Sequence, residues 1–162
     1  KLGLGNFNNI MRGESPLPNK ERIATSADWD IEPMPESKEE TSTIKLAIPI
    51  PEEAMAILRK GHIPEAQEDH WFMYCDDEYI RYYRSWTGMC AFVAHYHKEG
   101  EVYFIDELTI NHALAEFGVN GDEAGVWLFR YLITAESDGD AAMAWQDYLD
   151  AWDRLDRLYN KK

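Results

Sequence analysis

Arg81-Tyr82-Tyr83-Arg84-Ser85-Trp86-Thr87-Gly88 is the run of this chain whose residue types could best do chemistry. An arginine can fork onto a phosphate or a carboxylate. Ser85 and Thr87 offer hydroxyl donors, and Gly88 suits a turn or bulge because it tolerates a positive φ. Trp86 presents a flat face to a base, a sugar or a cation. Arg81, Arg84, Ser85, Trp86 and Thr87, with His70 upstream, are therefore the candidate ligand-binding residues for an anionic, nucleotide-like small molecule. The competing reading is structural. In a chain with 30 acidic residues, two strand arginines find partners readily, and Asp76, Asp77 and Glu78 are close at hand. Arg81 and Arg84 are also three positions apart, so on a regular strand they face opposite ways and only one reaches a given pocket.

Other chemistry is thinner. His95 and His97 form an H-x-H pair whose rings share one face of a strand, and a metal would need a third ligand from His70, Asp106 or Glu107. A polar turn beside a sheet carries histidines without a metal, so no metal site is assigned. His70 or His95 could serve as an acid–base group, whereas His62 and His112 look incidental. Cys75 or Cys90 could pair with His70 or His95 as a nucleophile, but both sit among large apolar residues, where thiols are inert. There is no G-x-S-x-G, P-loop, G-x-G-x-x-G, C-x-x-C or H-E-x-x-H, and no cofactor is implied.

The elements that must position these residues can be read from pattern. Trp71–Cys75 and Tyr79–Arg84 are aromatic-rich runs flanking Asp76-Asp77 and predict a β-hairpin. Period two puts Trp71, Met73 and Cys75 on one face and Phe72 and Tyr74 on the other, and sets Ile80, Tyr82 and Arg84 against Arg81 and Tyr83. Strands Met89–Tyr96 and Glu101–Ile110 complete a four-stranded antiparallel meander, with His97-Lys98-Glu99-Gly100 as a turn. Both faces of the hairpin are apolar, so one packs on helices and the other is covered or carries a site.

Upstream, residues 1–42 are rich in Gly, Asn, Pro and Ser and read as a flexible or extended arm, with Trp29 and Ile31 as its anchors if it docks. Thr43–Ile50 predicts a strand, and Pro51 opens a helix that reaches Lys60 and stops at Gly61. Downstream, Asn111 caps a short helical turn ending at Gly118. Asp122 caps a largely apolar helix, Glu123–Ala135, and Ser137-Asp138-Gly139-Asp140 ends it. In the last helix, Ala141–Tyr159, the apolar face is Trp145, Tyr148, Leu149, Trp152, Leu155 and Tyr159. Asp150 with Arg154 and Asp153 with Arg157 are expected ion pairs on its solvated face.

The run Gly61–Cys90 resembles small uncharacterised bacterial domains in which a Gly-His-Ile-Pro loop leads to an aromatic pair and then to an Arg-Ser-Trp-Thr-Gly turn. His70 stands where that pattern has a lysine or a similar polar residue. The resemblance implies a self-contained domain and carries no activity.

Together these elements predict an α+β fold: a mainly antiparallel sheet of about five strands with helices packed on one face, over residues 43–162 as one domain. The expected core is Leu46, Ile48, Leu58, Phe72, Tyr74, Phe92, Phe104, Val126, Trp127, Leu132, Trp145, Leu149 and Trp152. The 45% hydrophobic content supports a globular chain, and a net charge of −14 disfavours nucleic acid and anionic membrane as partners. No signal peptide and no run of roughly 18 apolar residues is visible, which points to the cytoplasm. Two functions fit: an acidic interaction domain for a basic protein partner, or a small-molecule binding or hydrolytic domain for an anionic, nucleotide-like ligand at the Arg84–Gly88 turn. The state of Arg84 separates them. Paired with a carboxylate and closed off, it is structural; open to a cleft, it is a site residue.

Overall fold

The computed structural model describes residues 23–137 and 141–160. The strands are β1 (Thr41–Pro51), β2 (Trp71–Cys75), β3 (Tyr79–Arg84), β4 (Cys90–Glu99) and β5 (Val102–Asn111). They form a single sheet in the order β1-β5-β4-β3-β2, every neighbouring pair antiparallel. Helix α1 (Glu52–Leu58) follows β1, and α2 (Asp122–Glu136) and α3 (Ala141–Asn160) follow β5. The α+β fold with a five-stranded antiparallel sheet is as the pattern predicts. None of the described helices is long and apolar enough to cross a membrane.

The hairpin β2–β3 forms because Asp76 folds its own turn. Its Oδ1 accepts the backbone N–H groups of Glu78 and Tyr79 at 2.9 and 2.7 Å, an arrangement that competes well with continued strand. Strand β4 runs on through His97 and Glu99, past the expected turn, because these residues pair with Phe104 and Val102 of β5 and the reversal is left to Gly100 at φ 65°. A short 3-10 helix, His112–Phe117, is capped by Asn111, whose side chain accepts the Ala113 N–H. The residue at the start of α2 is Gly121, with no side-chain cap, so Asp122 is not the cap but the first helical residue, where its charge suits the helix N-terminus.

Each face of the sheet has its own cover. On one face Ile80, Tyr82, Phe92, Ile105 and Leu108 meet Met55, Leu58, Phe129 and Tyr148 of the helices in the main core. Phe129 sits edge-on to Tyr82 and tilted against Phe92, with ring centroids 6.1 and 5.6 Å apart. The other face carries a smaller cluster of Ala24, Phe72, Tyr83 and Cys90, against which Trp29, Ile31 and Met34 pack. So the part of the arm from residue 23 onward lies along the sheet, anchored by the two residues named for it. Trp29 stacks on Phe72 at 5.9 Å and donates its indole N–H to the Ser85 carbonyl. The segment passes so close to Gly88 (φ 77°) that a Cβ there would lie 2.3 Å from the Asp30 carbonyl oxygen. The remainder of the arm, residues 1–22, and residues 138–140 of the loop before α3 lie outside the described residues.

The expected core needs one correction. Leu58, Phe72, Phe92 and Leu132 are buried, and Leu46, Ile48, Tyr74, Val126 and Trp127 are partly so. Phe104 is instead half-buried and stacks on His97. Trp145, Leu149 and Trp152 are 41, 38 and 37% exposed. Among the described side chains of α3, only Tyr148 and Ala151 are buried, and its tryptophans lie beside a gap. Of its expected ion pairs, Asp153 with Arg157 is present, but Arg154 reaches across to Glu123 of α2, and Asp150 accepts from Gln146 instead. The side chains of Leu155 and Tyr159 lie outside the described residues.

The two cysteines are free and pack on opposite faces of the sheet, Cys75 against the main core and Cys90 in the smaller cluster. Burial pushes both thiols up to about 12. Because the thiolate is the reacting species, native protein titrated with a thiol reagent at pH 8 will leave both cysteines unmodified over the time in which denatured protein loses both. Fast modification of either thiol in the native state would contradict this packing.

Candidate functional site

Arg84 ends β3 on the helix-facing side, two residues after Tyr82. Its guanidinium lies over the rings of Trp71 and Phe117, at 4.9 and 4.5 Å from their centroids. No carboxylate among the described residues pairs with it, and burial alone pushes its pKa down from the ordinary arginine value. Arginine remains protonated under such a shift, so a half-buried cation faces a gap. That gap is a cleft of about 490 Å³ between the sheet, the loop before β2, and helices α2 and α3. This volume lies within the roughly 300–1,000 Å³ usual for small-molecule sites.

The cleft has an apolar body and a polar rim. Trp71, Phe117, Tyr131, Trp145, Tyr148 and Trp152 bring aromatic rings to it. Trp145 packs on Tyr131 and Tyr148, and Trp152 on Tyr148, so α3 presents its rings as a connected wall. Gly118 allows this approach: a Cβ there would lie 2.7 Å from the Trp152 ring. In the floor, the Tyr82 hydroxyl is buried and has no hydrogen-bond partner among the described residues. Burial also holds this phenol well above its usual pKa, so it stays a neutral donor. A buried hydroxyl without a partner costs stability.

At the rim, His62 is held between two carboxylates. Its Nε2 donates to Asp69 at 2.6 Å, and its Nδ1 lies 3.2 Å from Glu136. Burial works against the charged ring, but its hydrogen bonds to Asp69 and Glu136 outweigh it and push its pKa up to about 10. His62 is thus a cation already matched to its partners. It ties the loop before β2 to the C-terminal end of α2. Local pairing holds the loop as well: the backbone of His62 exchanges two hydrogen bonds with Met73 of β2.

Of the residues picked from sequence, the cleft gathers Arg84 and His70 only. Arg81 points to the other face, where it donates to Asp76 at 2.6 Å and lies over Tyr79 and Tyr74. Burial pushes the Asp76 carboxyl up, yet the hydrogen bonds from Arg81 and from the backbone of Glu78 and Tyr79 prevail and hold it below its usual value. The Ser85 hydroxyl donates to the Asp69 carbonyl at 2.9 Å, and Thr87 Oγ1 accepts the Met89 N–H at 3.1 Å. Trp86 is 69% exposed and donates its indole N–H to the Gln67 carbonyl. Ser85, Trp86 and Thr87 therefore build the turn and its loop contacts rather than line the cleft.

His95 and His97 also lie on the far face. Their Nδ1 atoms donate to the two oxygens of Asp106 at 2.8 and 2.5 Å, and His97 Nε2 donates to Glu99 at 2.7 Å. Hydrogen bonds to Glu99 and Asp106 push the His97 pKa up. The imidazoles are engaged by carboxylates, and no three His, Cys, Asp or Glu side chains among the described residues are placed to hold a metal ion.

Sequence reasoning missed Tyr82, His62, Glu136, Trp145 and Trp152 as cleft residues. Tyr82 could have been found, because it shares the period-two face of Arg84. The link from His62 to Glu136 leaves no local signal. No protein-family model matches the chain, and neither a curated protein nor a solved structure matches it.

Proposed function

We propose that the cleft binds an anionic small molecule, with Arg84 as the anion contact. The observation that carries this reading is a half-buried guanidinium that faces a cleft and pairs with no carboxylate among the described residues. A cation in that setting gains from a ligand anion most of what an internal ion pair would supply, and the low local dielectric strengthens the contact. An interaction domain for a basic protein partner would instead present an exposed acidic or apolar patch without a polar-lined cleft. Among the described residues, the cleft lining holds no serine, threonine or cysteine. The reading is therefore of binding rather than of nucleophilic catalysis.

A thermal-shift series on wild type and Arg84→Met tests it. The panel holds nucleotides, sugar phosphates and organic carboxylates. A ligand that binds only the native state raises the midpoint by mass action. At least one class will raise it in wild type and at least tenfold less effectively in Arg84→Met, whose near-ultraviolet circular dichroism stays native. If no compound raises the midpoint and Arg84→Met loses stability sharply, Arg84 is a structural prop and the reading fails.

A further inference from the structure

We propose that the ligand of this cleft is an aryl monocarboxylate carrying a hydroxyl or keto oxygen on its ring. The carboxylate would meet Arg84, the ring would lie between Trp71, Phe117, Trp145 and Trp152, and the oxygen would take up the Tyr82 hydroxyl. This rests on the reading of the cleft as an anion-binding site and narrows it in three steps.

Charge comes first. Among the described residues, the lining carries two cations, Arg84 and the protonated His62, against three acids, Glu68, Asp69 and Glu136. His62 already serves two of those acids. One positive charge is left for a ligand, in a cleft whose balance is otherwise negative. A phosphomonoester or a nucleotide would bring its second and later charges against Glu68, Asp69 and Glu136. Like charges in a partly desolvated cleft repel strongly, so a single carboxylate is the anion that fits.

The body comes second. Among the described residues, seven phenylalanine, tyrosine and tryptophan rings line the cleft, four of them from tryptophan and phenylalanine. Such walls favour a flat ring, through offset and edge-on contacts, over a flexible chain that must be ordered on binding.

The third step is Tyr82, which lines the same cleft and whose buried hydroxyl has no hydrogen-bond partner among the described residues. Tyr82 and Arg84 are two positions apart on one strand face, so their Cα atoms are separated by roughly 7 Å. A polar group across an aromatic ring from a carboxylate spans a distance of that order. A ligand without such an oxygen would leave the hydroxyl unmet, and sites with buried polar groups discriminate strongly against ligands that fail to pair them.

Isothermal titration calorimetry on the whole chain tests this with 3-(4-hydroxyphenyl)propanoate, 3-phenylpropanoate, the methyl ester of the hydroxy acid, octanoate, phenyl phosphate and adenosine monophosphate. The hydroxy acid is expected to bind tightest, at least tenfold better than its ester and than either phosphate. Arg84→Met is expected to remove the preference for acid over ester. Tighter binding of a phosphate that Arg84→Met abolishes would overturn the monocarboxylate assignment and leave the anion site standing. Tighter binding of octanoate would overturn the aryl assignment in the same way. If no probe binds, or if Arg84→Met binds them all as wild type does, both this inference and the anion site fall together.

Discussion

His62→Gln will cost the fold about 2 kcal/mol near pH 6, and the cost will shrink as the pH rises toward 10. Removing one partner of a buried ion pair costs roughly 3–5 kcal/mol because a charge is left behind. Here two carboxylates are left, Asp69 and Glu136, but the His62 side chain keeps 33% of its surface open and water screens part of the loss. The pH dependence has a definite sign. The His62 pKa is about 10 in the folded chain, against an ordinary 6.5. A group raised on folding adds stability that is fully present below its unfolded value and is lost as the pH climbs through its folded value. Wild type and His62→Gln should therefore differ most at pH 6, progressively less between pH 6.5 and 10, and little above. Urea unfolding of both proteins across that range measures it, and other titrating groups cancel in the difference. A gap that stays constant with pH would mean that His62 acts through packing and not through its charge. Because His62 joins the loop before β2 to α2, the same variant should also weaken ligand binding in the cleft.

The hairpin was legible to the residue because its information is local. Trp71–Cys75 and Tyr79–Arg84 are the strands that form, and Asp76 folds the turn with its own side chain. Alternation also placed Arg81 and Arg84 on opposite faces, as found. The Arg84–Gly88 turn was harder to read. Its hydroxyls and indole look available in sequence, but they are engaged by the carbonyls of Asp69 and Gln67 and by the Met89 N–H. A loop sixteen to nineteen residues upstream supplies two of those partners, and no local pattern shows it. The tryptophans of α3 taught the same lesson from the other side. Helical period identifies Trp145 and Trp152 as one apolar face, but it does not say whether another element closes over that face. Here the closure is incomplete, and the shortfall is the cleft. His62 looked incidental because Glu136, the partner that makes it a clamp, lies at the far end of α2.

Tyr82→Phe will stabilise the unliganded protein by about 1–2 kcal/mol and weaken it as a receptor. A buried hydroxyl without a partner costs roughly 1–3 kcal/mol, and phenylalanine keeps the ring contacts with Trp71, Phe129 and the rest of the core. In a chain of this size each kcal/mol moves the midpoint by roughly 2–4 °C, so calorimetry resolves the gain. Loss of stability instead would mean that the hydroxyl is already satisfied in solution, and the argument from an unmet donor would fail. The binding arm is independent. In Tyr82→Phe the hydroxy acid should fall to the affinity of 3-phenylpropanoate, while 3-phenylpropanoate itself binds as before. Such a coupled loss belongs to the hydroxyl–oxygen contact alone. Structural roles alone do not account for a residue that is more stable without its polar atom. Stability given up at one atom, in a residue that lines a cleft whose arginine has no carboxylate partner among the described residues, is what a binding site requires: a polar group kept unmet by the protein so that the ligand can meet it.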